Sequence, residues 1–211
     1  MNSKLKISII TVSFNSQNTL RRTIESVLSQ NYDNVEFILI DGGSTDWTLS
    51  IINNYKDRIN FFISETDRGI YDAMNKGIIA ANGDIIGILN SDDFYSDETI
   101  LKKVADKFNE TNCDAVYGDL LYVKSIDASK IFRYWKSGYF SVKKLRRGWM
   151  LPHPTFFVKK SVYEKYGLYN TQLNSASDYE MILRLLYNCN IKVNYMPLVM
   201  VKMRVGGTSN A

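Results

Sequence analysis

In the first half of the chain, apolar and largely β-branched runs alternate about four times with segments of helical period, and several of these runs end in polar side chains. Residues 6–12 are apolar at nearly every position, as a strand covered on both faces requires. Residues 19–30 then read as a helix, with Leu20, Ile24, Val27 and Leu28 on one face and Asn18 available as its cap. Residues 35–40 form a second strand, which leads through Asp41-Gly42-Gly43-Ser44-Thr45-Asp46 into a helical stretch carrying Ile51 and Ile52. A shorter strand follows at 59–63. Ile70, Met74, Ile78 and Ala81 align along one side of the next helix, and 84–89 is the fourth strand. This order predicts an α/β fold, a mostly parallel sheet with helices on both faces.

The second half is less regular. A helix is expected over 97–109, strands over 115–123, 131–135 and 155–158, helices over 160–165 and 177–188, and an extended apolar segment over 193–205. No repeat, low-complexity tract or linker divides the 211 residues, so residues 1–211 are expected to share one core, with a functional boundary near Asn112. A hydrophobic content of 45% suffices for such a core. No stretch has the length of a membrane span and the first residues lack a signal-peptide apolar segment, which predicts a cytoplasmic protein.

One histidine and two distant cysteines, Cys113 and Cys189, cannot build the nitrogen and sulfur shell that zinc or copper prefers. A hard ion, Mg2+ or Mn2+, needs only carboxylates, water and substrate phosphates. Asn90-Ser91-Asp92-Asp93 supplies neighbouring carboxylates at the C-terminal end of the fourth strand, where open α/β sheets bind ligands. Adjacent carboxylates repel unless a cation relieves them. The plainer alternative makes them turn residues before a helix capped by Ser96. Thr11, Ser13 and Asn15 leave the first strand and Asp41 the second at the same edge, where a base and ribose could be held. No Gly-x-Gly-x-x-Gly follows the first strand and no Gly-x-x-x-x-Gly-Lys-Ser/Thr loop exists, which argues against dinucleotide and P-loop chemistry. Phosphate charge would then fall to a metal, assisted by Arg68 or Lys76.

The net charge is +4, and Lys143, Lys144, Arg146 and Arg147 are clustered among Tyr139, Phe140, Trp149 and Met150. Such a segment suits an anionic lipid surface or a phosphorylated carrier, or else a solvated helix face with its aromatics in the core. No nucleic-acid motif accompanies it.

Taken together, Ile9-Ile10-Thr11-Val12-Ser13-Phe14-Asn15, Asp41 to Asp46, Asp67-Arg68-Gly69-Ile70-Tyr71-Asp72-Ala73-Met74-Asn75-Lys76-Gly77 and Leu89-Asn90-Ser91-Asp92-Asp93 resemble the family 2 glycosyltransferases of the GT-A fold. The resemblance implies inverting transfer of a sugar from a nucleoside-diphosphate donor, a UDP-sugar above all, with residues 1–112 binding the nucleotide-sugar and 113–211 the acceptor. It places Thr11, Val12, Asn15 and Asp41 around the nucleoside, with Asp41 accepting from the base, and Asp67, Arg68 and Lys76 beside the nucleotide. Asp92 would meet ribose or sugar hydroxyls and Asp93 would hold the Mn2+ or Mg2+. Asn90 departs from the pattern, since many members have aspartate there.

Asp178 is similar to the acid that opens the family's late helix, which makes it the general base; Ser177 and Glu180 have the spacing of a capping box whatever the function. His153, between Pro152 and Pro154, would contact the diphosphate or acceptor, or serve structurally. The implied acceptor is a glycan or lipid-linked intermediate of bacterial capsule, exopolysaccharide or O-antigen synthesis, at the inner face of the membrane. A nucleotidyltransferase and a non-catalytic sugar-nucleotide-binding module are the alternative readings.

Overall fold

In the computed structural model, which describes residues 4–124, 128–173 and 175–205, the apolar runs become strands whose alternate side chains point to opposite faces. Every residue of β1 (Ile7–Ser13) is buried. Ile7 and Ile9 join one core cluster and Ile10 and Val12 the other, and in β2 (Val35–Asp41) Phe37 and Leu39 separate from Ile38 and Ile40 in the same way. One face is covered by α1 (Leu20–Leu28), α2 (Thr48–Asn53) and α4 (Ile100–Thr111). The other is covered by α3 (Ile70–Ala80), α6 (Lys160–Tyr166) and α7 (Ser177–Leu183), with Leu145 of the short α5 (Val142–Leu145). Both clusters draw residues from either side of Asn112.

The remaining strands are β3 (Phe61–Ser64), β4 (Ile85–Ile88), β5 (Phe94–Tyr95), β6 (Ala115–Val123), β7 (Ile131–Trp135), β8 (Phe157–Lys159) and β9 (Val193–Arg204). Among the described residues they form one nine-stranded sheet in the order β3-β2-β1-β4-β8-β6-β9-β5, with β7 on β6. The expected parallel pairing holds for β3-β2-β1-β4 and for β6-β9. β8 runs antiparallel between β4 and β6, and β5 and β7 also pair antiparallel, so the α/β sheet is mixed beyond β4. All the loops that follow β1 to β4 therefore leave the same edge.

Local differences from the sequence reading have local causes. Thr19 rather than Asn18 stands at the N-cap of α1, and it caps without its side chain. Thr99 precedes α4, because Ser96 Oγ donates to the Val199 carbonyl at 2.6 Å instead. The Ser177–Glu180 capping box does not form. Ala176, at φ 64°, is the N-cap of α7, while Ser177 Oγ is buried without a partner and Glu180 pairs with Arg184 at 2.8 Å. The expected helix over 177–188 changes to a π-helical turn at Arg184–Asn188.

Candidate active site

Four loops are tied together at the C-terminal edge of the parallel strands. Asn15 adopts φ 46°, its amide donates to Ser44 Oγ at 2.8 Å, and its side-chain oxygen accepts from Thr45 N at 2.9 Å. Ser16 Oγ lies 2.7 Å from Ser91 Oγ, and Thr23 Oγ1 donates to the carbonyls of Ser91 and Asp93 at 2.9 and 2.7 Å. The loops after β1, β2 and β4 thus form one connected rim. A β carbon on Gly42 would lie 2.5 Å from Asp67 Oδ2, so the Asp67 carboxylate fills the place of a side chain there and joins the loop after β3 to the rim. Asp67 Oδ1 also accepts from Gly69 N at 2.9 Å, and the φ of 112° at Gly69 permits the sharp entry into α3.

The expected ligand contacts differ in their surroundings. Asp41 is wholly buried and accepts from five donors: Ser13 Oγ, Ser44 Oγ, Gly43 N, Ser44 N and Ser64 Oγ. That fills the capacity of a carboxylate, so in this structure Asp41 organises the loop. Thr11 is fully buried with an unpartnered hydroxyl, and Val12 is also buried; both lie inside β1 rather than at its end. Lys76 pairs with Glu65 at 2.8 Å and with Asp72 at 3.3 Å. Asn15, Asp67 and Arg68 do reach the rim.

The neighbouring carboxylates differ sharply. Asp92 is half-buried, whereas Asp93 has no exposed surface and neither of its carboxylate oxygens has a hydrogen-bond partner. Burial pushes the Asp93 carboxyl well above its ordinary range and the charge of Asp92 adds to this, with Arg204 opposing. Burial also raises Asp92, again opposed by Arg204. Arg204, on β9, donates to the Asp92 carbonyl at 3.2 Å and lies over the Phe94 ring, with Arg22 on the same ring at 3.9 Å. Among the described residues no three potential ligands cluster. Asp93, expected as the metal ligand, is the fully buried member of the pair, and Asp92 is the partly exposed one.

On the other side of the rim, α3 meets α7. Tyr71, in the first turn of α3, donates to Asp178 Oδ1 at 3.2 Å across 107 positions of sequence. Burial and the charge of Asp178 raise the Tyr71 phenol, so it remains a donor at neutral pH. The Tyr71 ring stacks on Tyr169 at 5.8 Å, and Tyr169 Oη lies 2.6 Å from His153 Nε2. His153 is buried, and burial lowers its pKa while Asp178 opposes that shift. It therefore stands as a neutral member of this network, in keeping with the structural one of its two expected roles. A pocket of about 220 Å³, lined by Arg68, Tyr71, Asp72, Thr171 and Leu173 among others, opens beside Tyr71. Tyr169 and Arg204 had no local sequence signal, because their partners lie far away in the chain.

A mixed sheet covered by helices on both faces thus carries acids at its loop edge, and a further acid opens a late helix. Residues 8–167 match the sequence model of Glycosyl transferase family 2, and the chain belongs to that family. It is 31% identical over 191 residues to an uncharacterised glycosyltransferase of Mycobacterium tuberculosis (strain H37Rv), covering 90% of this chain and 72% of that protein. A PGL/p-HBAD biosynthesis glycosyltransferase of Mycobacterium bovis (strain BCG / Pasteur 1173P2) is 30% identical over 208 residues, covering 96% and 78%. The fold is shared with S. aureus TarS 1–349 in complex with UDP, at TM-score 0.77 and 20% identity, covering 95% of this chain and 61% of that one. It is shared also with mannosyltransferase PcManGT from Pyrobaculum calidifontis in complex with GDP-Man and Mn2+, at TM-score 0.74 and 16% identity, covering 99% and 59%. The chain thus spans about three fifths of these two structural neighbours.

Proposed function

We propose that this chain is the catalytic unit of an inverting glycosyltransferase that moves a hexosyl group from a nucleoside-diphosphate sugar, UDP-linked in the first instance, to a hydroxyl of a glycan or lipid-linked acceptor in bacterial cell-surface polysaccharide synthesis. The observation that carries this reading is the Tyr71–Asp178 contact, since it brings an acid of the second half beside the loop rim of the first. Residues up to about 112 would bind the donor and the rest the acceptor. Asn15, Asp67 and Arg68 would position the nucleotide from the rim. Asp178 would accept the proton of the attacking hydroxyl, held in orientation by Tyr71. The structural neighbours in complex with UDP and with GDP-Man and Mn2+ support a nucleotide-sugar donor.

The oxygen donors at the rim fit a hard divalent cation, because Asp92 is accessible and its charge is only partly answered by Arg204. Asp92 would hold such an ion, which when bound stabilises charge on a departing diphosphate. A thermal-shift screen of UDP- and GDP-sugars with and without Mn2+ tests the reading. The matching donor at about a hundredfold over its Kd is expected to stabilise the fold by roughly 2.7 kcal/mol, and only with the metal. No shift with any nucleotide-sugar would contradict it.

A further inference from the structure

Residues 128–163 carry nine lysines and arginines and no aspartate or glutamate, so a chain of net charge only +4 is acidic on balance elsewhere. The same segment exposes much of its apolar surface. β7 pairs with β6 alone among the described strands, which leaves its outer edge open. Phe132 is 64% exposed, Tyr139 70%, and Tyr134 and Val142 are exposed beside them.

These residues form one continuous face. Tyr134 Oη donates to Asp119 at 2.5 Å, Asp119 accepts from Tyr195 Oη at 2.7 Å, and the Tyr139 ring stands edge-on to Tyr195 at 5.2 Å. Lys144 Nζ donates to the Tyr139 carbonyl at 2.7 Å, which joins α5 to the strand. Arg146 reaches Tyr187 Oη at 2.9 Å and lies over that ring, so the face extends to the turn after α7. Lys143, Lys144, Arg146 and Arg147 are all exposed, and none takes part in the ion pairs found among the described residues.

We infer that this face docks on an anionic lipid bilayer. Cations on a short helix draw toward acidic headgroups, and the exposed rings suit the boundary between headgroup and acyl chain, where one end of an aromatic is apolar and the other wet. A second copy of the chain fits poorly, because a two-fold contact through this face would oppose cations with no acid in the segment to receive them. Leu145 anchors α5 in the core cluster that also holds Met181 and Ile182 of α7, so docking would bring the helix of Asp178 toward the bilayer. That last consequence rests on the transferase reading; the surface itself does not.

Flotation with vesicles of phosphatidylcholine, and of phosphatidylcholine with phosphatidylglycerol, tests this. The protein is expected to float only with the phosphatidylglycerol vesicles and to be released by high salt. Reversing the four charges (Lys143→Glu, Lys144→Glu, Arg146→Glu, Arg147→Glu) should lower partition roughly a hundredfold or more, and Phe132→Ser with Tyr139→Ser should weaken it while keeping the salt dependence. An unchanged melting temperature and nucleotide-induced shift in each variant report an intact fold and donor site separately. No flotation of folded wild type, equal binding to both vesicles, or reversal variants that still bind would overturn the inference. So would a wild-type dimer that the charge reversal dissociates, since the face would then belong to a second copy.

Discussion

Replacing Asp178 with asparagine is expected to lower sugar transfer by about 10²–10⁴-fold and to leave nucleotide-induced stabilisation unchanged. Asparagine has nearly the same shape, and its carbonyl oxygen can still accept from Tyr71, whose hydroxyl lies 3.2 Å from Asp178 Oδ1. What it cannot do is take a proton. Measured as nucleoside diphosphate released in the presence of acceptor, the loss should therefore appear in kcat. Tyr71→Phe removes the orienting donor and keeps the base, so a smaller fall in kcat is expected. Normal transfer by Asp178→Asn, or loss of nucleotide binding instead of turnover, would show that the acid plays another part.

The second large effect separates Asp92 from Asp93. Asp93→Asn is expected to stabilise the ligand-free protein at neutral pH by about 1–3 kcal/mol, a rise of several degrees in Tm for a chain of this size, since the amide carries no charge where burial disfavours one. Burial raises the Asp93 carboxyl above its value in the unfolded chain, so the folded protein loses stability as pH climbs through that raised pKa and regains it as pH falls. The advantage of the variant should thus be present at neutral pH and vanish in acid. Asp92→Asn should abolish the Mn2+-dependent part of the donor shift, because Asp92 is the accessible member of the pair. If Asp93→Asn removed the metal dependence and Asp92→Asn kept it, the sealed carboxylate would be the ligand after all.

Strands were legible wherever apolar, β-branched and aromatic residues ran together. β6 and β7 fall on the predicted residues, and β1, β2, β4 and β9 lie within about two residues of theirs. β5, of two residues, and the four-residue α5 were not, because segments so short have no period to read. The motifs fall together on the rim, yet they could not say how its side chains would be paired. Asp41 is engaged by Ser13, Ser44 and Ser64, which arrive from two strand ends and a loop, and Lys76 is engaged by Glu65 and Asp72. Such satisfaction depends on tertiary neighbours. The same holds for the support of Asp178 by Tyr71 and of Tyr71 by Tyr169, whose distances in sequence leave no local trace.

The central claim is that donor nucleotide binds on the rim formed by the loops after β1 to β4. Amide hydrogen exchange with and without UDP or GDP and Mn2+ tests it most directly, since a bound ligand slows local opening at the site it covers. Protection is predicted at Gly42 to Thr45, Asp67 to Gly69 and Ser91 to Asp93. Protection confined instead to the cavity of about 620 Å³ at the opposite edge, around Gly83, Asn112 and Lys160, would contradict the account.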